Sequence, residues 1–326
     1  MKRNLYIDIG STNIKWKRDG VVQQTPFPAP VVANDGRFEV DAEEIFKIVR
    51  SLIEDSDRVF FSVQMHGYVL LKDGKAVTNY ISWRDERGAN CTPNFTLTKE
   101  YGVDIKPNLP RLSLQTQTVE YDEFCTLGSY LVYRLTKINA THITDAAPSG
   151  FYNVRARTQE KTTFKLPIAS YSIKPIGNYG KAEIYTPVGD QQAAILGSVG
   201  KDFKGYVLNL GTAAQLCEIL DGFASGEFES RPYFDGKTLC TVTRLPGGGV
   251  IAQYTDEELF ERLVKEYGIA LKKLPTCDYL VATGGLVKYR KALLCKVLDE
   301  LGVSYSFNES CDALAGLEIL SKGEIK

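Results

Sequence analysis

The sequence predicts an α/β protein that is built from two related halves. Residues 5–17 (LYIDIGSTNIKWK) read as a strand, a Gly-Ser-Thr turn and a second strand. Residues 206–220 (YVLNLGTAAQLCEIL) repeat that pattern around a Gly-Thr turn, with little sequence identity, so the repeat is one of pattern. A chain of 326 residues, 44% of them hydrophobic, is long enough to form two domains.

The composition argues against several classes of protein. The chain has 39 Lys and Arg residues against 40 Asp and Glu residues, so no strong field favours nucleic acid or an anionic membrane. Its seven cysteines include no CxxC pair, which argues against a zinc cluster or a disulfide framework and for a reducing compartment. No apolar stretch approaches the ~20 residues of a membrane span, and Asp8 interrupts the first apolar run too early for a signal peptide. We therefore expect a soluble, cytoplasmic protein with no nucleic-acid or membrane partner.

The first quarter of the chain is predicted to be rich in strands. Alternating apolar residues and an Asp-Gly turn extend the first hairpin into a three-stranded antiparallel meander. Residues 41–55 (DAEEIFKIVRSLIED) follow as an amphipathic helix that begins with a capping-box-like pair, Asp41 and Glu44. Residues 58–67 (RVFFSVQMHG) form a largely apolar strand of the kind that is buried on both faces of a sheet. Ligands bind beyond the carboxyl ends of such strands.

Helices and strands alternate through the rest of the chain. An Asp-Gly turn at residues 73–74 separates two short strands, and residues 83–87 (WRDER) are placed on a loop. Later elements are assigned by periodicity and by glycine stops: helix 121–136, helix 256–267, strand 279–285, helix 288–301 and helix 312–323. The domain boundary is predicted near residues 198–204, which gives an N-terminal domain of residues 1–199 and a C-terminal domain of residues 200–326.

The two glycine-containing turns suggest a site for a polyphosphate. A Gly-Ser-Thr turn offers backbone N–H groups and two hydroxyls to phosphate oxygens, and glycine allows close approach. One such turn in each half could grip a polyphosphate from both sides of a cleft. Asp8, directly before the first turn, is well placed to hold Mg²⁺ through water. The alternative is that Asp8 is an edge-strand residue that faces solvent.

Asp190, in the segment VGDQQAA, is a candidate general base. It follows Gly189 at the start of a helix of small residues, which would place its carboxylate at the mouth of a cleft. A kinase needs a carboxylate that accepts the proton of the substrate hydroxyl as the phosphoryl group arrives. The alternative is a helix N-cap, the commoner role of aspartate at such a position.

His66, in the segment QMHG, is one of only two histidines in the chain. Together with Gln64 and the loop from Trp83 to Asp85, it offers donors, an acceptor and an aromatic face, which suit a polyol or a sugar. The alternative is a hydrogen-bonded structural histidine at the end of an apolar strand.

These motifs, in this order, resemble those of the FGGY carbohydrate kinases of the actin-like ATPase superfamily. The matching segments are DIGST, SVQMHG, WRDER, TLGSYLVYRLT with ITDAAPSGFYNV, VGDQQAA, LNLGTAAQL and ATGG. Each motif is short, and their order across residues 5–316 makes the resemblance specific. The resemblance implies two ribonuclease-H-like domains that flank a cleft for ATP, Mg²⁺ and a sugar.

The resemblance also implies roles for individual residues. Asp190 corresponds to the general base and Asp8 to the magnesium anchor. The nucleotide contacts comprise a first phosphate loop of Gly10, Ser11, Thr12 and Lys15, a second of Gly211 and Thr212, a glycine turn with Gly248 and Gly249, and an adenosine turn of Gly284 and Gly285. The sugar contacts comprise Gln64, Met65, His66, Trp83, Asp85 and Asp190.

Within that family, the chain is most similar to sedoheptulokinase-like and xylulokinase-like members, which implies a ketose substrate. It departs from them in a shortened C-terminal domain and in Leu286 after the adenosine turn. The resemblance is also compatible with a homodimer. A catalytically inactive sugar- or nucleotide-binding regulatory protein of the same fold is the main alternative, and a phosphatase or nucleotide hydrolase of the superfamily is another.

Overall fold

The computed structural model describes residues 2–93, 100–211, 213–251, 253–275, 277–309 and 312–323. Within these ranges, no helix combines the length and the apolar character that crossing a membrane requires.

The secondary structure alternates between strands and helices, as the sequence predicts. The strands before residue 200 are β1 (Asn4–Ile9), β2 (Asn13–Arg18), β3 (Val21–Pro26), β4 (Pro30–Asn34), β5 (Arg37–Val40), β6 (Arg58–Val63), β7 (Tyr68–Lys72), β8 (Lys75–Ala76), β9 (Tyr80–Ile81), β10 (Glu123–Thr126), β11 (Ala140–His142), β12 (Tyr152–Asn153), β13 (Thr158–Gln159), β14 (Ile168–Ser170), β15 (Pro175–Tyr179), β16 (Ala182–Tyr185) and β17 (Val188–Gly189). The strands after it are β18 (Tyr206–Leu210), β19 (Ala214–Leu220), β20 (Glu229–Pro232), β21 (Thr238–Leu245), β22 (Tyr279–Thr283) and β23 (Ser304–Asn308). The α-helices are α1 (Ala42–Leu52), α2 (Pro110–Ser113), α3 (Leu127–Thr136), α4 (Ile143–Ala146), α5 (Asp190–Val199), α6 (Gly248–Ile251), α7 (Asp256–Lys273), α8 (Gly285–Glu300) and α9 (Ala313–Ser321).

The central sheet of the first half has the order β15-β16-β6-β1-β2-β3. Strands β1, β2 and β3 form the predicted antiparallel meander, which is confirmed, and β6 runs parallel to β1. Leu5, Ile7 and Ile9 of β1 are fully buried and pack with apolar residues of α1 and α3. The β6 strand is almost continuously apolar because its inner position in the sheet buries both of its faces.

The central sheet of the second half repeats this arrangement. Its order is β20-β21-β19-β18-β22-β23. Strands β18, β19 and β21 are antiparallel neighbours, while β22 runs parallel to β18 and β23 runs parallel to β22. The order β21-β19-β18-β22-β23 matches the order β3-β2-β1-β6-β16, with the same strand directions. The repeat of pattern predicted from the two hairpins is thus a repeat of sheet topology.

Helices α5 and α9 join the two sheets in one apolar layer. Buried side chains from β6, β18, α5 and α9 share a single cluster, which includes Phe60, Val207, Leu196 and Leu317. The helices cross at Gly316, where an added Cβ would collide with the backbone of Ala193. The predicted domain division between residues 199 and 200 falls at the end of α5. Helix α5 belongs to the first half of the chain but packs against α9 of the second half. The division between residues 199 and 200 therefore stays a prediction.

One predicted helix is partly wrong. Residues 121–136 were expected to be helical, but Glu123–Thr126 form β10, an antiparallel neighbour of β7. The buried side chains of Phe124 and Cys125 find their partners across the strand pair. The helix begins only at Leu127, where the hydroxyl of Thr126 accepts a hydrogen bond from the Ser129 N–H at 3.1 Å.

The crossing of α5 and α9 can be tested by Gly316→Ala. We expect a loss of about 1–3 kcal/mol in the free energy of unfolding, because the new methyl group meets backbone atoms that cannot rotate away. Gly268→Ala in α7 is the matched control, since its Cβ would lie 3.1 Å from the movable Cδ2 of Leu301. That variant should be neutral or stabilised by up to ~1 kcal/mol. Equal denaturation midpoints for both variants would contradict the close crossing.

Candidate active site

A cleft of about 720 Å³ is lined by residues of both central sheets. It brings together most of the predicted site residues of the first half, namely Asp8, Gly10, Ser11, Lys15, Gln64, Met65, His66, Trp83 and Asp190. The second half contributes Asn209, Ala213, Gln215, Arg231, Thr243, Arg244, Asp312 and Ala313. Thr12 and Asp85 are not among the lining residues, and neither are the predicted nucleotide-contacting glycines Gly211, Gly248, Gly249, Gly284 and Gly285.

Asp8 lies on the central strand of its sheet and not on an edge. Its neighbours across the strands are Lys15 on β2 and Ser62 on β6. The hydroxyl of Ser62 donates to Asp8 Oδ1 at 2.7 Å. Burial raises the pKa of Asp8 to about 6, and the Ser62 hydroxyl and the Lys15 ammonium limit that rise. The carboxylate therefore faces the cleft with one oxygen held in place, which rules out the solvent-facing edge strand.

The first turn is a tight hairpin end with exposed hydroxyls. The Gly10 N–H donates to the Asn13 carbonyl at 3.1 Å, and the side chains of Ser11 and Thr12 are exposed. Lys15 lies in the cleft beside Asp8. The turn thus presents the donors that a phosphate group requires.

The glycines of the second half meet at the end of β18. The Gly248 N–H donates to the Gly211 carbonyl at 2.8 Å, and a Cβ on Gly284 would lie 2.6 Å from the Leu210 carbonyl oxygen. Gly285 begins α8 with open space around its Cα. Gly284 is required by the close backbone of Leu210, whereas Gly285 at the start of α8 leaves room that fits the close approach of a nucleotide. Gly249 follows in α6, while Thr212 lies outside the described residues.

Asp190 is the first residue of α5, at the floor of the cleft. Gly189 is the cap residue, and the Gln191 N–H donates to Asp190 Oδ1 at 2.8 Å. A Cβ on Gly189 would clash with Met65 and Gln192, which accounts for the glycine. Burial raises the pKa of Asp190 to about 7, and the negative charge of Asp8 adds to this. The group therefore exchanges a proton near neutral pH, as a general base requires.

The QMHG segment forms the wall beyond β6. The Gln64 Nε2 donates to the Gly10 carbonyl at 3.2 Å, which ties this wall to the first turn. His66 adopts a left-handed φ of 63°. Burial lowers the pKa of His66 to about 3, so the ring is neutral, and its Nδ1 is buried with no partner in the described part of the chain. Trp83 faces this wall from the next loop with 39% of its surface exposed.

The expectation that Asp85 contacts a sugar disagrees with the structure. Asp85 is buried, and its carboxylate accepts hydrogen bonds from the Phe38 N–H and from Nε and Nη2 of Arg87, each at 2.7 Å. Arg87 also donates to Glu39 at 2.7 Å. Asp85 thus anchors the loop that carries Trp83. The sequence could not show which way this loop side chain points.

Several cleft residues escaped the sequence analysis. Lys106 and Arg231 both form ion pairs with the buried carboxylate of Glu229. Gln191 accepts a hydrogen bond from Arg231 and donates to Gln215 at 2.5 Å. These residues lie on a loop, on β20 and on β19, so no local motif brings them together. The only sequence signal for this group of cleft residues was Gln191, which directly follows Asp190.

Asp312 adds a third carboxylate to the cleft. Its Oδ1 caps α9 by accepting the Leu314 N–H at 2.9 Å, and its charge contributes to the raised pKa of Asp8. Within the described residues, no group of three His, Cys, Asp or Glu side chains could hold a metal ion. A magnesium ion at Asp8 would therefore take its other ligands from water and from phosphate oxygens, as Mg²⁺ usually does in proteins.

The two central sheets repeat one topology and flank the cleft, which agrees with the predicted α/β fold of two ribonuclease-H-like halves. Three solved structures share this fold with the chain. They are gluconate kinase from Lactobacillus acidophilus (TM-score 0.80, 15% identity, 98% of this chain and 89% of that chain), xylulose kinase from Lactobacillus acidophilus (0.80, 16%, 99% and 89%) and glycerol kinase from Plasmodium falciparum with ADP (0.77, 14%, 98% and 89%). At such low identity the likeness shows the fold. Neither a protein-family model nor a curated protein sequence matches the chain.

The burial of Asp190 predicts a pH-dependent cost to stability. The folded state binds a proton more tightly than the unfolded chain, so the stability contributed by this group falls as pH rises from about 4 through about 7. We expect Asp190→Asn to melt like the wild type at pH 4 and to be more stable by about 2–4 kcal/mol at pH 8, measured without ligands. The exposed Asp202→Asn is the control and should show no such pH-dependent gain. A gain that is equal at both pH values would contradict the raised pKa.

Proposed function

We propose that the protein is an ATP-dependent carbohydrate kinase that transfers the γ-phosphoryl group to a hydroxyl of a polyhydroxylated substrate. The observation that carries the proposal is the position of Asp190. The carboxylate of Asp190, with its pKa near neutrality, lines the same cleft as the magnesium candidate Asp8 and the polar QMHG wall. A phosphoryl acceptor on the wall side and a nucleotide on the Asp8 side would both reach it.

The nucleotide end of the cleft is assigned to the two turns. Ser11 and Lys15 would contact phosphate oxygens from one side, and the glycines at the end of β18 would approach the nucleotide from the other. Bound Mg²⁺ neutralises charge that develops on the transferring phosphoryl group. Asp8, held by Ser62, would orient that ion.

At the acceptor end, Asp190 removes the proton from the attacking hydroxyl. A base with a pKa near the working pH combines a useful deprotonated fraction with enough basicity to assist the attack. The neutral His66 ring and Gln64 bind sugar hydroxyls, and the face of Trp83 packs against the C–H groups of the sugar. Positioning and electrostatic stabilisation carry most of the catalysis in such a reaction.

The substrate is a carbon chain with several hydroxyls. The resemblance of the sequence implies a ketose such as sedoheptulose, xylulose or ribulose, and the fold is shared by proteins named for gluconate, xylulose and glycerol. The alternative of an inactive regulatory protein of this fold predicts binding without release of ADP. The intact pair of Asp8 and Asp190 favours an active enzyme.

The base is tested by ADP release from Mg-ATP with a panel of ketoses, polyols and sugar acids. We expect Asp190→Asn to reduce kcat by at least about 10³-fold while leaving the affinity for ATP within about threefold, because it removes proton acceptance from the reaction. Asp202→Asn should retain full activity. Turnover that survives in Asp190→Asn would sink the assignment, and sugar-independent hydrolysis by the wild type would favour a nucleotide hydrolase.

The metal role of Asp8 is tested by a magnesium titration of the same reaction. Asp8→Ala should raise the Mg²⁺ concentration for half-maximal rate by about tenfold or more, because one anionic anchor of the ion is lost. Asp19→Ala, which changes an exposed aspartate after β2, serves as the control. An unchanged magnesium requirement in Asp8→Ala would place the ion elsewhere.

A further inference from the structure

A cluster of charged residues lies in the cleft beside the QMHG wall. It consists of Lys106, Glu229 and Arg231, which we call the cationic triad. Arg231 donates from Nε to Glu229 Oε2 at 2.8 Å, and Lys106 pairs with the other oxygen, Glu229 Oε1. The side chains of Glu229 and Arg231 are almost completely buried, at 1% and 4% exposure, and that of Lys106 is 11% exposed.

The triad carries one positive charge more than its own contacts neutralise. Two cations share a single carboxylate. Burial alone would raise the pKa of Glu229, but Arg231 and Lys106 outweigh it and lower that pKa to about 2, so the carboxylate is ionised. Within the described residues, no second carboxylate forms an ion pair with either cation, although the charges of Asp104 and Asp190 interact with them at longer range. A surplus charge in a site withdrawn from water is costly unless an anion accompanies it.

The triad also has hydrogen-bond donors to spare. An ammonium offers three donors and a guanidinium five. Lys106 uses one on Glu229, while Arg231 uses Nε and Nη2 on Glu229 and Nη1 on Gln191. Both side chains line the cleft. Donors of both side chains therefore remain for a ligand that enters the cleft.

The triad belongs to the acceptor end of the cleft. Arg231 contacts Gln191, the residue directly after the base. Lys106 is held near Trp83, because the amide of Asn108 donates to the Trp83 carbonyl at 2.6 Å. The charges that act on the pKa of the magnesium candidate Asp8 instead include those of Lys15 and Asp312. The triad is therefore placed to bind the substrate and not the phosphates of the nucleotide.

We propose that the substrate is a sugar acid, a polyhydroxylated chain whose carboxylate binds Lys106 and Arg231 while a hydroxyl further along the chain reaches Asp190. This inference rests on the proposed kinase function and narrows its substrate class from neutral sugars. The two oxygens of a carboxylate match donors from two cations, and its negative charge opposes theirs. Sugar hydroxyls would accept the hydrogen bonds but leave the charge uncompensated.

The test compares acids with neutral chains of equal length. Calorimetry of the full-length protein would measure erythronate, xylonate and gluconate against erythritol, xylitol and glucitol, with and without a non-hydrolysable ATP analogue and Mg²⁺. We expect at least one acid to bind about tenfold to hundredfold more tightly than its neutral counterpart, since hydrogen bonds between charged groups contribute more than neutral ones. Equal affinities within every pair, or no binding by any of the acids, would overturn the inference. Tighter binding of a sugar phosphate than of every acid would replace the carboxylate with a phosphate.

Substitutions at Lys106 show whether the triad is responsible. Lys106→Gln should weaken binding of the preferred acid by about tenfold or more and change the affinity for its neutral counterpart by no more than about twofold. Lys106→Arg should restore most of the lost affinity for the acid. Lys265→Met on the exposed face of α7 makes the same change in net charge far from the cleft and should have no effect. Equal losses for the acid and the neutral chain in Lys106→Gln would indicate a merely structural triad and overturn the inference.

Turnover separates this inference from the proposed function. Phosphorylation of neutral sugars in preference to acids leaves a kinase and removes the sugar-acid assignment. Triad-dependent binding of an acid without any ADP release supports the substrate class and removes the kinase. Failure of the sugar-acid assignment and failure of the kinase assignment therefore give different results.

Discussion

The close crossing of α5 and α9 is the contact on which the cleft depends. Gly316 lies directly against the backbone of Ala193, and Gly197 lies equally close to the start of α9. Because no side chain separates the helices there, the two sheets share one apolar layer. Asp190 is the first residue of α5, and the cap of α9, Asp312, has its carbonyl against Gly197, about two turns further along α5. Both carboxylates line the cleft, so helix packing sets the positions of the charged groups.

The negative charges of these carboxylates explain why the cleft requires cations. Asp8, Asp190 and Asp312 lie in one partly desolvated space, and burial raises the pKa values of the first two. At one end, Lys15 stands opposite Asp8, and bound Mg²⁺ would complete the compensation. At the other end, Arg231 opposes the rise in the pKa of Asp190. Charge compensation thus differs along the cleft, with a cation to be supplied at one end and the cations Lys106 and Arg231 already present at the other.

The sequence predicted the parts of the site that lie within single motifs. The two hairpins, the strand that ends in QMHG and the helix that begins at Asp190 are all local features, because strand alternation and helix starts are written in neighbouring residues. The sequence pattern predicts helix across β10 because the few residues of this strand run directly into a real helix. Asp85 was assigned to the sugar because loop sequences do not show the direction of a side chain. Lys106 and Arg231 were missed because only the fold brings them together.

The two halves are alike in topology but differ at one position on the central strand. Asp8 on β1 faces Ser62 across the parallel pair, and Asn209 on β18 faces Thr283 in the same register. A hydroxyl is retained on both sides, whereas the carboxylate is present on one side only. A divalent ion near the first hairpin therefore meets an anionic oxygen on β1, whereas the matching position of β18 offers an uncharged amide. That difference makes the two topologically equivalent hairpins unequal, so a nucleotide that brings its own metal would place the metal at the first hairpin and not at the second.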